Sequence, residues 1–145
     1  MTDELYDRDV LRLAADADGT GALAAPKASA TIENARCGDR ATVDVRLEDG
    51  RIVALAHDIR ACLLAQASAT VMARAAKGMD AAAVSALRGA VAAMLAEGRA
   101  AIAPAGYDAL LPVHAHPMRH ACVLLPLDAL ADAVSVAQRT ADASP

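Results

Sequence analysis

The stretch ATVDVRLEDGRIVALAHDI, residues 41–59, carries the clearest β signal in the chain and decides its fold class. Val43, Val45 and Leu47 alternate with Thr42, Asp44, Arg46 and Glu48, a period of two that puts apolar groups on one face. Asp49-Gly50 supplies a D-G turn, and RIVALAHDI returns as a second strand. A β-hairpin with one buried face follows. Upstream, ATIENAR (30–36) predicts a first strand leading to Cys37. Further upstream, Tyr6, Val10 and Leu13 are spaced as on a short amphipathic helix over 5–16. Between them, residues 16–27 are rich in Gly, Ala and Pro and predict a flexible linker.

Downstream of Cys62 the period changes. LLAQASATVMARAAKG is built largely from good helix formers and ends at Gly78, a candidate C′ glycine. Asp80 is placed to cap a second helix, with Val84, Leu87, Val91 and Met94/Leu95 as its apolar stripe and Gly98 as its stop. Residues 99–117 predict irregular chain, broken by Pro104, Gly106, Pro112 and Pro117. A last helix begins near Arg119. Pro126 must lie in an early turn of it or divide it, because its nitrogen cannot donate. Residues 139–145 predict a polar tail. The order of elements gives an α+β class: one domain over 1–145, with about three antiparallel strands followed by helices.

Bulk properties narrow the function. The core must be aliphatic, since Tyr6 and Tyr107 are the only aromatic residues. A formal net charge of −4 argues against nucleic acid or an anionic membrane as the main partner. Met1–Asp9 is acidic and lacks the apolar core of a signal peptide, and no uncharged run predicts a membrane span. The expected location is cytoplasmic. In that reducing compartment three cysteines do not make a disulfide framework. Each is a core residue, a metal ligand or a reactive thiol.

All three cysteines fall at element boundaries: Cys37 in the loop entering the hairpin, Cys62 between strand and helix, Cys122 in the first turn of the last helix. Helix starts favour thiolates through their backbone N–H groups. A tetrahedral site needs about four converging soft or borderline ligands. Cys37, Cys62 and Cys122 offer three sulfurs, Asp39 offers a carboxylate, and Gly38 lets the loop bend. Separations of 25 and 60 residues give no local signature, so scattered core thiols stand beside this reading, with Asp39 a turn residue. His114 and His116 read as solvated loop residues and His57 as a loop residue at a strand end. His120 is a helix-start residue or a spare ligand.

Three motifs in order carry a family resemblance: NARCGD (34–39), RACLLAQASATVMARAAKG (60–78) and PMRHACVLLPLDAL (117–130). Over about residues 30–132, with an echo at Leu5-Tyr6, the sequence resembles the U-type iron–sulfur cluster assembly scaffolds, the NifU N-terminal, IscU and SufU proteins. The resemblance implies a SufE/NifU-like fold, a small antiparallel sheet with helices on one face and the cysteines at one end. It implies that Cys37, Cys62 and Cys122 bind a [2Fe–2S] cluster or Zn2+. Asp39 would be the further ligand or favour cluster release. Cys122 would accept persulfide sulfur from a cysteine desulfurase, with Arg119 as electrostatic support. Ala67-Ser68-Ala69 matches a run needed for close packing.

The implied partners are a cysteine desulfurase and apo iron–sulfur acceptor proteins or carriers, with homodimerisation left open. The implied role is a scaffold rather than an enzyme. A zinc-dependent SufU-like sulfurtransferase and a structural zinc-binding interaction domain are the alternatives. A Cys/His nucleophilic enzyme fits less well, since no Cys–His pair sits in a recognisable motif. The sequence departs from the family at Ala35, where relatives often carry proline, and at Ile59-Arg60-Ala61, where a glycine-containing approach is usual. Ala121 stands where IscU proteins carry histidine, and the long Cys62–Cys122 interval resembles the SufU branch.

Overall fold

The computed structural model describes residues 7–25, 27–34, 38–99 and 106–142. Its elements are α1 (Arg8–Asp16), β1 (Ala28–Asn34), β2 (Asp39–Glu48), β3 (Arg51–Arg60), α2 (Leu63–Ala76), α3 (Ala81–Glu97), a 3-10 helix (Tyr107–Ala115), a short 3-10 turn (Pro117–Arg119) and α4 (His120–Asp142). The strands form one antiparallel sheet in the order β1-β2-β3. This is the expected α+β architecture.

The hairpin forms as its sequence demands. Asp49 and Gly50 both take positive φ (53° and 77°), and Glu48 pairs with Arg51. That is the two-residue turn whose twist matches the strands. Ala41, Val43 and Val45 are wholly buried. A register shift at Arg46/Leu47 places Ala54 and Ile52 opposite them and bends the hairpin tip. Asp44 breaks the simple alternation: it points to the polar face yet is only 4 % exposed. The segment before β1 covers it. Ser29 Oγ (2.6 Å), Lys27 Nζ (2.9 Å) and the Leu23 N–H (3.1 Å) all donate to its carboxylate. Burial alone would raise its pKa; these bonds and the Lys27 charge outweigh it and hold the carboxyl below its usual range.

Residues 17–25, inside the stretch whose composition predicts a linker, are tied down on the far edge as well. The His57 N–H donates to the Gly19 carbonyl (2.8 Å) and the Gly21 N–H to the His57 carbonyl (2.9 Å). The His57 ring donates from Nε2 to the Asp18 carbonyl (2.7 Å). His57 is therefore a strand residue 4 % exposed, not a loop residue, because this segment folds over it. A Cβ on Gly19 would lie 2.9 Å from Ala73 Cβ, so the position requires glycine. Burial holds the His57 pKa below its ordinary 6.5 despite the Asp18 contact. Below about pH 6.5 the unfolded chain therefore binds a proton that the folded chain refuses. This contribution to stability is complete above 6.5 and is lost as pH falls toward the folded value. Melting temperature is expected to fall between pH 7 and 5, with a flatter slope in His57→Gln.

The helices bury the opposite face. α3 hides Val84, Leu87, Val91, Met94 and Leu95, the predicted stripe; Asp80 caps it through the Ala83 N–H (2.8 Å), and Gly98 ends it at φ 74°. α2 ends at Ala76, with Lys77 extended and Gly78 at φ 89° turning the chain back to β3. α4 is the central helix, packing on β1, β2, α2 and α3. It is long and apolar enough to cross a membrane, at a mean hydropathy of 1.5, but its neighbours account for that: half of this stretch is buried inside the fold. Pro126 neither divides nor ends it, and the helix runs on to Asp142.

Residues 107–115 depart most from expectation. The prolines and glycine predict irregular chain, yet a nine-residue 3-10 helix forms. Tyr107, Leu110 and Val113 recur every third residue and are all buried, which is the 3-10 period. Packing thus sustains a helix longer than its own hydrogen bonds favour.

Candidate functional site

One end of the sheet gathers the chemistry. The β1–β2 loop closes there through the Asn34↔Asp39 pair, with Gly38 at φ 71° donating its N–H to the Asn34 carbonyl (2.9 Å). Left-handed backbone is why glycine follows the first cysteine. Arg40 pairs with Arg60, so the start of β2 lies beside the end of β3 and the Cys62 that follows it. Cys62 is the N-cap residue of α2, with extended backbone and no side-chain capping bond. A sulfur there faces the exposed N–H groups and positive pole of the helix. Cys122 enters from α4 and is 7 % exposed.

Far apart in sequence, Cys62 and Cys122 come near enough for the Cys62 sulfur to act on the Cys122 thiol, and the charges of Asp39 and Arg119 reach Cys122 as well. Burial, then the neighbouring Cys62 sulfur and the Asp39 carboxylate, push the Cys122 thiol up to about 12; Arg119 opposes this in part. A second negative charge beside the first is disfavoured, and a cation placed between the sulfurs would relieve that. Metal uptake at such a pair must release protons, so affinity rises with pH.

Cys37 lies outside the described residues; its flanks, Asn34 and Gly38, are fixed at this same end. Among the described residues no three histidine, cysteine or acidic side chains lie close enough together to hold a metal ion. The structure thus joins Cys62 to Cys122 and sets Asp39 and Arg119 within electrostatic range. The histidines turn elsewhere. His114 donates from Nδ1 to the Leu95 carbonyl (2.6 Å), and His120 from Nε2 to the Val113 and His114 carbonyls (3.0 and 3.2 Å). His114 is accordingly anchored to α3 rather than merely solvated, and His120 ties α4 to the 3-10 helix.

Two residues to which the sequence reading gives no part in the site, Ser68 being expected only to pack closely, support the Cys122 turn. Ser68 donates from Oγ to the Val123 carbonyl (2.6 Å), and Tyr107 donates its hydroxyl hydrogen to the Ser68 carbonyl (3.0 Å). The signal was present: a serine in a buried alanine-rich helix face and one of only two aromatic residues.

The thiols should differ in reactivity. Cys62 is partly exposed at a helix start, whereas Cys122 is buried and its thiol is pushed up to about 12 by that burial and by its anionic neighbours. Iodoacetamide at pH 8 is expected to alkylate Cys122 at least about a hundredfold more slowly than a free thiol, since reaction needs thiolate. Peptide mass spectrometry over time measures this directly, and Cys62 should label first.

The NifU-like N terminal domain model matches residues 5–135. Among solved structures, a nitrogen-fixing NifU-like protein (N-terminal) from Brucella abortus is similar at 36 % identity and TM-score 0.86, covering 94 % of this chain and 96 % of that one. A protein described as an iron–sulfur cluster assembly scaffold for the SUF system, from the thermophilic Fervidobacterium islandicum AW-1, shares the fold at TM-score 0.82 and 20 % identity, covering 92 % and 99 % of the two chains. A hypothetical protein shares it at TM-score 0.75 and 22 % identity, covering 87 % and 96 %. No curated protein matches the sequence.

Proposed function

Since the chain belongs to the NifU-like N-terminal domain family, we propose that it is an iron–sulfur cluster assembly scaffold. Cys37, Cys62 and Cys122 hold iron or a [2Fe–2S] cluster as cargo, and Asp39 supplies an oxygen ligand. The observation that carries this reading is the approach of Cys62 and Cys122, at two helix starts, to one another and to Asp39 at the sheet end where β1 and β2 close. Two sulfurs whose joint ionisation is costly suit a cationic cargo. A carboxylate among thiolates makes a weaker, more exchangeable site than four thiolates, as a scaffold requires.

Sulfur arrives from a cysteine desulfurase. A thiolate of the site attacks the terminal sulfur of the donor's persulfide; the donor S–S bond breaks as the new one forms, and the donor leaves as thiolate. No net oxidation occurs, and reducing that sulfur to sulfide takes two electrons from a separate reductant. We assign acceptance to Cys122 in the metal-loaded site, where a bound cation would offset the burial and the Cys62 and Asp39 charges that keep the metal-free thiol protonated, and the Arg119 charge adds to that effect. The cluster then passes to apo iron–sulfur proteins or carriers in the cytoplasm.

The donor set equally suits zinc, and the interval between Cys62 and Cys122 favours a zinc-dependent, SufU-like sulfurtransferase as the second reading. Anaerobic incubation with a cysteine desulfurase, L-cysteine, ferrous iron and a thiol reductant tests both. Visible thiolate–iron charge-transfer absorption supports the scaffold. Stoichiometric zinc with persulfide on the chain and no colour supports the transferase, and absence of metal and persulfide would overturn both.

A further inference from the structure

Pro126 lies in α4 one helical step beyond Cys122, where a regular residue would donate its N–H to the Cys122 carbonyl. Proline cannot, and its ring crowds that carbonyl. The turn that carries the thiol therefore lacks a helical hydrogen bond where helices already fray. The Ser68 hydroxyl enters from α2 and holds the next carbonyl, Val123, at 2.6 Å. Tyr107 braces it: the phenol oxygen lies 3.2 Å from Ser68 Oγ and donates to the Ser68 carbonyl at 3.0 Å. Ser68, Tyr107 and Val123 are all 0 % exposed, so no water replaces a lost partner readily. Gly106 seats the tyrosine: its φ is 103°, and a Cβ there would lie 2.9 Å from Val71 Cγ1. His120, at the start of the same helix, is bound to the carbonyls of Val113 and His114. The 3-10 helix thus holds the start of α4 directly through His120 and, by way of Ser68 on α2, through Tyr107.

We propose that Ser68 and Tyr107 are positioning residues for Cys122, fixing the direction of its sulfur toward the bound metal by holding the turn that Pro126 leaves open. The inference rests on the metal-binding reading above. Groups that orient a ligand without touching the metal commonly command about tenfold or more in affinity. A loosened turn lets the sulfur swing, which lengthens or breaks its bond to the ion and raises the rate of release.

Cobalt(II) is the probe, since its visible bands report thiolate number and geometry. Wild type, Tyr107→Phe, Ser68→Ala and Leu87→Ala are loaded with cobalt(II) under anaerobic conditions. Spectra, release rates to a chelator and apo-protein melting temperatures are then recorded. Leu87, buried in α3, is the control for destabilisation alone. Tyr107→Phe and Ser68→Ala are expected to shift the thiolate bands and release cobalt about tenfold faster. Leu87→Ala should melt lower with wild-type bands and release. If Ser68→Ala does not fold, Tyr107→Phe alone carries the test. Wild-type bands and rates in the folded variants, or the same band shift in Leu87→Ala, would overturn the positioning role while leaving the metal site intact. Failure of wild type to bind cobalt through thiolate would overturn the metal-binding reading itself, and this inference with it.

Discussion

Replacing Cys122 with serine is expected to lower zinc and iron retention by more than about a hundredfold, above the range produced by residues that merely orient ligands. The hydroxyl is a poor ligand for a borderline ion and stays protonated where a bound thiol would lose its proton. Cys62→Ser should do the same, because the two sulfurs lie within each other's electrostatic reach and neither alone makes the pair. The metal-free variants should keep their fold. Serine is nearly the size of cysteine, and the aliphatic core around Cys122 is otherwise untouched. Metal analysis after gel filtration, alongside circular dichroism of the apo forms, checks both halves. Loss of fold in the apo variants would make the cysteines structural; undiminished metal would remove them as ligands.

Leu127→Ala should have the opposite profile. Leu127 is wholly buried, adjoins Pro126, and belongs to the helix that packs against β1, β2, α2 and α3. Truncation loses its transfer free energy and leaves a cavity in the close-packed core, a cost of about 2–5 kcal/mol. Against a total of about 5–15 kcal/mol that is a large share. At roughly 3–4 °C per kcal/mol for a chain of this size, melting should drop by about 10 °C. Leu11→Ala on α1, where the side chain is 46 % exposed, should change stability by no more than about 0.5 kcal/mol. Thermal denaturation monitored at 222 nm measures both, and a small effect at Leu127 would mean the core around α4 is looser than its burial implies.

The elements that could be read from sequence are those whose signals are local. The hairpin followed from alternation and Asp49-Gly50, and α3 from its cap, stripe and closing glycine. The 3-10 helix was illegible because Gly106 and Pro112 ordinarily signal loop, and its three-residue period emerges only when Tyr107, Leu110 and Val113 find a core to enter. His57 reads as a loop residue for a related reason: its cover comes from Asp18–Gly21, far off in the chain.

The site divides in the same way. The placement of Cys62 and Cys122 at helix starts came from residue patterns, but their meeting depends on how α4 crosses the sheet, which no local signal encodes. Ligand chemistry offers a shared site only beside the alternative of scattered core thiols, and the family resemblance is what favours the site. The bond from His120 to the Val113 carbonyl likewise depends on where the fold places that carbonyl.

X-ray absorption at the zinc edge of the zinc-loaded protein addresses the central claim, that sulfurs from three separate segments share one metal centre. The expected first shell is three sulfurs near 2.3 Å and one oxygen near 2.0 Å. It should lose one sulfur in each of Cys37→Ser, Cys62→Ser and Cys122→Ser. A shell of nitrogen and oxygen alone, or a sulfur count unchanged by any of the three substitutions, would contradict it.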